Sequence, residues 1–121
     1  MPTIENARKW YRTDDPVHGL DHILRVRGLA IYLAQRTGAD QRIVEAAALL
    51  HDASGGDAKQ GGRASHHEAS AKFAREVLNQ EGWQSEDIER VVACIAAHRY
   101  RGGDNAVSLE AQVLYDADKL D

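Results

Sequence analysis

Histidines stand next to acidic residues at three places in this 121-residue sequence: Asp21-His22, His51-Asp52 and His66-His67-Glu68. Imidazole nitrogens and carboxylate oxygens together suit divalent ions such as Mn, Mg, Fe, Co, Ni or Zn. The only cysteine, Cys94, argues against a structural zinc site built from thiolates, and we expect it to be a small core residue. The pattern therefore predicts one or two divalent ions per chain, with Mn or Mg expected first, provided that the fold brings these side chains together.

The elements that must position these residues are predicted to be helices. Alternating β-branched runs and Asn-Gly or Asp-Gly turns are absent from the sequence, whereas helical spacing of apolar residues recurs. Helices are predicted over about 3–12, 18–37 and 40–50, and then from residues 65, 85 and 108, with a glycine-rich loop over 53–64. The expected caps are Gly38, Asp40, Ser65 in a capping box with Glu68, Ser85 and Ser108. The sequence thus predicts an all-α compact bundle of five to six helices, with 40–50 as the central helix and 1–121 as a single domain.

One face of the second predicted helix combines histidines with apolar residues. Its members fall at spacings of four, four, three and four: His18, His22, Val26, Leu29 and Leu33. His22 is therefore expected to point toward the core, where an imidazole without a partner would be costly. Arg25 flanks this face, either orienting Asp52 or binding phosphate, or as half of a surface ion pair.

Other predicted helices carry further candidates. The pair His51-Asp52 ends the most apolar predicted helix, where a carboxylate needs a partner. His98 follows the Val91 and Ile95 face of the fifth helix. It is a ligand candidate or a helix-end histidine stabilised by the helix dipole.

The sixth predicted helix separates two aspartates. At about 100° per residue, a stripe roughly 60° wide contains Leu109, Val113, Asp116 and Leu120. Asp116 is therefore expected to face inward as a carboxylate ligand. Asp118 is expected on the opposite side, and neither it nor Asp121 is expected to have a catalytic role.

His22, His51-Asp52 and Asp116 together resemble the H…HD…D signature of the HD superfamily of metal-dependent phosphohydrolases. Four blocks are similar to segments of its small stand-alone bacterial members: His18-x3-His22-Ile23-Leu24-Arg25-Val26, Leu49-Leu50-His51-Asp52, His66-His67-Glu68-Ala69-Ser70-Ala71 and Asp116-Ala117-Asp118-Lys119-Leu120-Asp121. The resemblance covers roughly residues 15–121. Because those relatives continue with further helices, we expect either a minimal HD domain or one that lacks their C-terminal helices.

The resemblance implies a ligand set and a reaction. The implied metal ligands are His22, His51, Asp52 and Asp116, joined by His66 and His98 where a second ion binds. The implied reaction is hydrolysis of a phosphate ester or anhydride, by a phosphomonoesterase, phosphodiesterase or nucleotide pyrophosphohydrolase, with a water that the ion activates. Asp52 would then handle protons with His98 or His66, and His18 would face the substrate or make a polar contact at the helix start.

Alternatives to this hydrolase stay open at the level of sequence. One is a non-catalytic HD module that binds metal or nucleotide as a sensor or partner domain, and another is a di-iron HD oxygenase. In a purely structural interpretation, His22 and His51 are core histidines with satisfied hydrogen bonds.

Composition limits the partners. The formal net charge of −4 argues against a nonspecific nucleic-acid binder and favours a small phosphate substrate, expected to be a nucleotide. No apolar run approaches the roughly 18 residues of a membrane span, and the N-terminus lacks a signal-peptide core. A lone cysteine cannot form an internal disulfide, so we expect a cytoplasmic protein. No membrane partner is expected. A homodimer is compatible with the sequence.

Overall fold

A computed structural model describes residues 3–11, 19–53, 63–97 and 108–121, with side chains in the third range from residue 70 onward. Its helices are α1 (Ile4–Trp10), α2 (Leu20–Thr37), α3 (Gln41–Leu50), α4 (Arg63–Gln80), α5 (Ser85–Ala97) and α6 (Leu109–Leu120). No strand occurs among the described residues. The predicted all-α bundle is confirmed, with six helices in the described part of the chain.

Three of the predicted caps lie at the helix termini where they were expected. The Asp40 carboxylate accepts a hydrogen bond from the backbone N–H of Arg42 at the start of α3, at 3.1 Å. The Ser108 hydroxyl accepts from the Ala111 N–H at the start of α6, also at 3.1 Å. Gly38 ends α2 with a φ of 83°, a left-handed conformation that favours glycine.

Two of the predicted N-caps do not cap their helices. The α4 helix begins at Arg63, so the prediction of Ser65 as its N-cap is wrong. Arginine and alanine at positions 63 and 64 are good helix formers, and they extend the helix before the capping-box sequence. Ser85 is the first residue of α5 rather than its cap, and the carbonyl of Gln84 accepts the hydrogen bond from Ile88.

The α3 helix forms the centre of the fold. It contacts each of the other five described helices. Seven of its ten residues are buried: Ile43, Val44, Ala46, Ala47, Ala48, Leu49 and Leu50. The α2 and α6 helices also contact each other, so α2, α3 and α6 meet along one side of the core. This confirms 40–50 as the central helix.

The α6 helix packs with a different face from the one that the sequence predicted. Leu109 and Leu120 are 42% and 66% exposed, whereas the buried residues are Ala111, Val113, Leu114 and Ala117. The buried face of α6 thus combines two alanines with a valine and a leucine, and it lies to one side of the stripe that contains Leu109 and Leu120. The Glu110 carboxylate also accepts from the Asp40 backbone N–H at 2.9 Å, which fixes the rotation of α6 against α3.

None of the described helices combines the length and the apolar composition that a membrane span requires.

Candidate metal centre

The backbone at the end of α3 sets the orientation of His51. This side chain is buried, and its Nδ1 lies 2.8 Å from the carbonyl oxygen of Ala48. A carbonyl can only accept, so Nδ1 carries the proton and donates it. Nε2 then faces two carboxylates, 3.4 Å from Asp52 Oδ2 and 3.6 Å from Asp118 Oδ1.

Tyr11 holds the same turn from α1. Its buried hydroxyl donates to the carbonyl of Leu49 at 2.9 Å and accepts from the backbone N–H of Asp52 at 3.2 Å. Burial, reinforced by the charge of Asp52, raises the pKa of Tyr11 well above its ordinary value, so the hydroxyl stays protonated. No local pattern in the sequence marks Tyr11 as part of the site. The sequence offers only a general indication of this role, because the hydroxyl of a buried tyrosine usually has a hydrogen-bond partner.

His22 enters the centre from α2. Its Nε2 lies 3.0 Å from Asp118 Oδ1, and its Nδ1 lies 2.7 Å from Asp121 Oδ2. The His22 and His51 rings are 6.1 Å apart, centroid to centroid. One ligand atom from each of His22, His51 and Asp118 falls within 4.8 Å of the other two. These three side chains could therefore hold a metal ion together.

The carboxylate that α6 brings to this group belongs to Asp118. The prediction that Asp116 faces inward is wrong, because its side chain is exposed. At about 100° per residue, Asp118 lies roughly 40° from the buried Leu114, whereas Asp116 lies roughly 160° from it. The expectation that Asp118 falls on the opposite side is wrong for the same reason.

Asp121 contacts His22 on the side of the ring away from Asp118, and Arg25 in turn binds Asp121. Arg25 Nε donates to Asp121 Oδ1 at 2.5 Å, and the terminal nitrogen Nη2 donates to Oδ2 at 3.2 Å. The bonded Arg25 guanidinium lowers the pKa of Asp121, with a smaller contribution from His22. The partners predicted for Arg25 from the sequence are Asp52, phosphate or a surface ion pair. The structure shows a carboxylate that also contacts a candidate ligand.

The donor set fits a divalent ion. Burial alone would lower the pKa of His51, but the carboxylates of Asp52 and Asp118 outweigh it and raise that pKa above its ordinary value. The two carboxylates thus favour positive charge at this position, and a bound cation would supply it. Two imidazoles and two carboxylates, with no thiolate, suit a hard or borderline ion.

The remaining predicted site residues lie outside this description. His18 and His98 are outside the described residues, and the side chain of His66, in the first turns of α4, is outside them as well. Their predicted roles, including that of second-ion ligands, stay predictions. Cys94 is buried in the core as expected, and burial raises the pKa of its thiol to about 12.

Comparison with known proteins places these features in a family. The family model described as HD domain matches residues 19–121. An uncharacterized protein of Clostridium beijerinckii is 33% identical over 106 residues, which are 85% of this chain and 64% of that protein. The protein YpgQ of Bacillus subtilis is 31% identical over an alignment of 132 positions, covering 100% of this chain and 60% of YpgQ.

Solved structures give the same result. A predicted HD superfamily hydrolase from an uncultured Thermotogales bacterium superposes with a TM-score of 0.82 at 31% identity, over 97% of this chain and 64% of that one. The structure of B. subtilis YpgQ in complex with ADP gives a TM-score of 0.70 at 30% identity, over 98% and 60% of the two chains. The chain thus spans between 60% and 64% of the length of these relatives. The family model and the shared fold together show that this chain belongs to the HD domain family.

Proposed function

We propose that this protein is a metal-dependent phosphohydrolase that cleaves a phosphate ester or anhydride of a nucleotide. The observation that carries the proposal is the convergence of His22, His51 and Asp118, whose ligand atoms lie within 4.8 Å of one another. Membership of the HD domain family supports it. One similar structure is described as a predicted HD superfamily hydrolase.

The residues that would hold the ion are His22, His51, Asp52 and Asp118. This set differs from the one that the resemblance implied in a single member, Asp118 in place of Asp116. A bound divalent ion supplies a Lewis acid that lowers the pKa of water and offsets charge on a phosphoryl group. A second ion would need further ligands, for which His66 and His98 are the candidates.

The protein itself contributes orientation and a place for a proton. His51 cannot rotate freely, because its Nδ1 is held by the Ala48 carbonyl and its ring is buried. Tyr11 holds Asp52 through its backbone N–H, and the Asp52 carboxylate lies 3.4 Å from His51 Nε2. We expect an Asp52 oxygen to accept a proton during the reaction, with His66 or His98 as its partner and His18 near the substrate.

The nucleotide part of the proposal has two supports. The YpgQ structure, whose fold resembles this one, contains ADP. The Asp118 side chain is 32% exposed, so this candidate ligand is accessible to a small phosphate compound from solvent.

The test is a metal-screened assay with two matched variants. The protein is stripped of metal, reloaded with Mn, Mg, Fe, Co, Ni or Zn, and incubated with nucleoside mono-, di- and triphosphates and cyclic nucleotides. Phosphate, pyrophosphate and nucleoside products are then quantified. We expect Asp118→Asn to reduce kcat/KM by more than the roughly 10- to 100-fold that loss of an outer partner costs. Asp116→Asn, on the exposed side of the same helix, should change it less than about twofold.

Three outcomes would contradict the proposal. Metal binding without release of any product would favour the non-catalytic module. Oxygen consumption by the Fe-loaded protein, without phosphate chemistry, would favour the oxygenase. Equal losses in the two variants, with helical content intact, would mean that α6 presents a different face to the centre.

A further inference from the structure

Asp121 contacts the ring nitrogen of His22 that does not face the candidate metal centre. Its Oδ2 lies 2.7 Å from Nδ1, whereas Nε2 of the same ring lies 3.0 Å from Asp118. The Asp121 side chain is only 10% exposed, although it lies at the end of α6. Asp121 therefore lies where it can determine which ring nitrogen of His22 carries the proton and which one can bind an ion.

The chemistry of imidazole makes this contact directional. Both ring nitrogens of His22 face a carboxylate, and an ionised carboxylate can only accept. The contact of Nδ1 with the Arg25-bonded Asp121 is the shorter of the two, so it favours the neutral ring with its proton on Nδ1. A neutral imidazole has one donor and one acceptor nitrogen, which leaves Nε2 as the acceptor. Nε2 is the nitrogen that a metal ion needs, and histidine ligands generally donate their other N–H to such a partner.

Arg25 fixes the carboxylate in turn. Its guanidinium donates to both oxygens of Asp121, through Nε to Oδ1 and through Nη2 to Oδ2. His22 and Arg25 are three residues apart on α2 and therefore lie on one face of the helix. A forked donor of this kind favours the ionised carboxylate and one orientation of its plane.

We propose that Asp121 is a positioning residue, which is clamped by Arg25 and fixes His22 with its proton on Nδ1 and Nε2 directed into the metal centre. The proposal rests on the proposed function for the identity of the centre. It does not need the substrate or the reaction.

The test measures the tautomer of His22 and the affinity for Mn²⁺ in the full chain. In ¹⁵N-histidine-labelled, metal-free protein at alkaline pH, we expect the parent His22 ring to be the Nδ1–H tautomer. Asp121→Ala should shift it toward the Nε2–H tautomer and weaken Mn²⁺ binding roughly 10- to 100-fold. Asp121→Asn keeps an acceptor but loses the charge, so its affinity should lie between the two. Asp116→Ala, on the exposed side of the same helix, is the control and should change neither quantity.

A second variant keeps the proposal testable where Asp121→Ala does not fold. Arg25→Gln leaves the carboxylate in place but removes its clamp, so we expect a mixed tautomer and a smaller loss of Mn²⁺ affinity. An unchanged tautomer and unchanged affinity in the folded variants would overturn the proposal. So would loss of Mn²⁺ binding with the tautomer unchanged, because Asp121 would then act as a ligand.

The two proposals can fail separately. If the variants shift the tautomer and the Mn²⁺ affinity but the parent releases no phosphate from any nucleotide, the positioning role stands and the hydrolase proposal falls. If Asp118→Asn abolishes turnover while Asp121→Ala leaves the tautomer and the affinity unchanged, the reverse holds.

Discussion

Replacing Tyr11 by phenylalanine removes one hydroxyl and leaves the size of the ring unchanged. In the parent protein this hydroxyl joins α1 to the turn that carries His51 and Asp52, since it donates to the Leu49 carbonyl and accepts from the Asp52 N–H. The N–H of Ala53 also interacts with this hydroxyl, but it has a second partner in the carbonyl of Leu50. The substitution should therefore leave two backbone groups without their partner at the end of α3.

The size of the effect follows from the burial of those groups. A buried donor or acceptor that loses its partner costs about 1–3 kcal/mol. Leu49 is fully buried, whereas Asp52 is only partly buried and its N–H can regain water, so its cost lies near the lower limit. Phenylalanine leaves no cavity. We therefore expect a loss of roughly 2–4 kcal/mol in the free energy of unfolding, or roughly 6–20 °C in Tm for a chain of this length.

The assay is urea unfolding followed by circular dichroism, in EDTA so that metal binding does not add to the stability. Tyr32→Phe is the matched control, because Tyr32 is 53% exposed. Its free energy of unfolding should stay within about 0.5 kcal/mol of the parent value. If the free energies of unfolding of the two variants differ by less than about 0.5 kcal/mol, the hydrogen bonds of the Tyr11 hydroxyl do not stabilise this turn.

Two further predictions concern buried titratable groups. Because burial raises the pKa of Cys94 to about 12, its thiol should react with a disulfide reagent only in urea, and fast labelling of the native protein would contradict this. The pKa of His51 is raised in the fold, so its protonated form adds stability that is fully present below the ordinary histidine pKa of about 6.5 and is lost as pH rises through the folded value. In EDTA the urea midpoint should fall over that interval in the parent but not in His51→Gln. A midpoint that falls equally in both would show that another group is responsible.

The helices and the central position of α3 could be predicted from the sequence because they depend on local patterns. Asp40 and Ser108 cap helices through bonds to backbone groups only two and three residues away. From Ile43 to Leu50 the sequence of α3 is apolar except for Glu45, so burial of nearly all of this stretch follows. His22 was also expected to point inward, because helical spacing aligns it with Val26.

The face of α6 could not be predicted in the same way. The large apolar side chains of α6 predicted a buried face that contains Leu109 and Leu120, but both side chains are exposed to solvent. The face that packs contains Leu114 and Val113 together with two alanines, Ala111 and Ala117. Neither alanine is a strong signal in a single sequence, because alanine is a good helix former on exposed faces as well as on buried ones. The choice of Asp116 over Asp118 followed from that error.

The candidate ligands themselves show why the site was only partly predictable. His51 is oriented by a carbonyl three residues before it, within the same helix end, so its position next to the apolar run already implied a defined geometry. His22 depends on Asp121, a contact across 99 positions of the chain, and no local pattern reports such a pair. Asp118 depends on the rotation of a whole helix against α2 and α3. Residue types and spacing therefore suffice for a ligand whose orienting contact is local, whereas the other ligands, and the partners that orient them, require the packed fold.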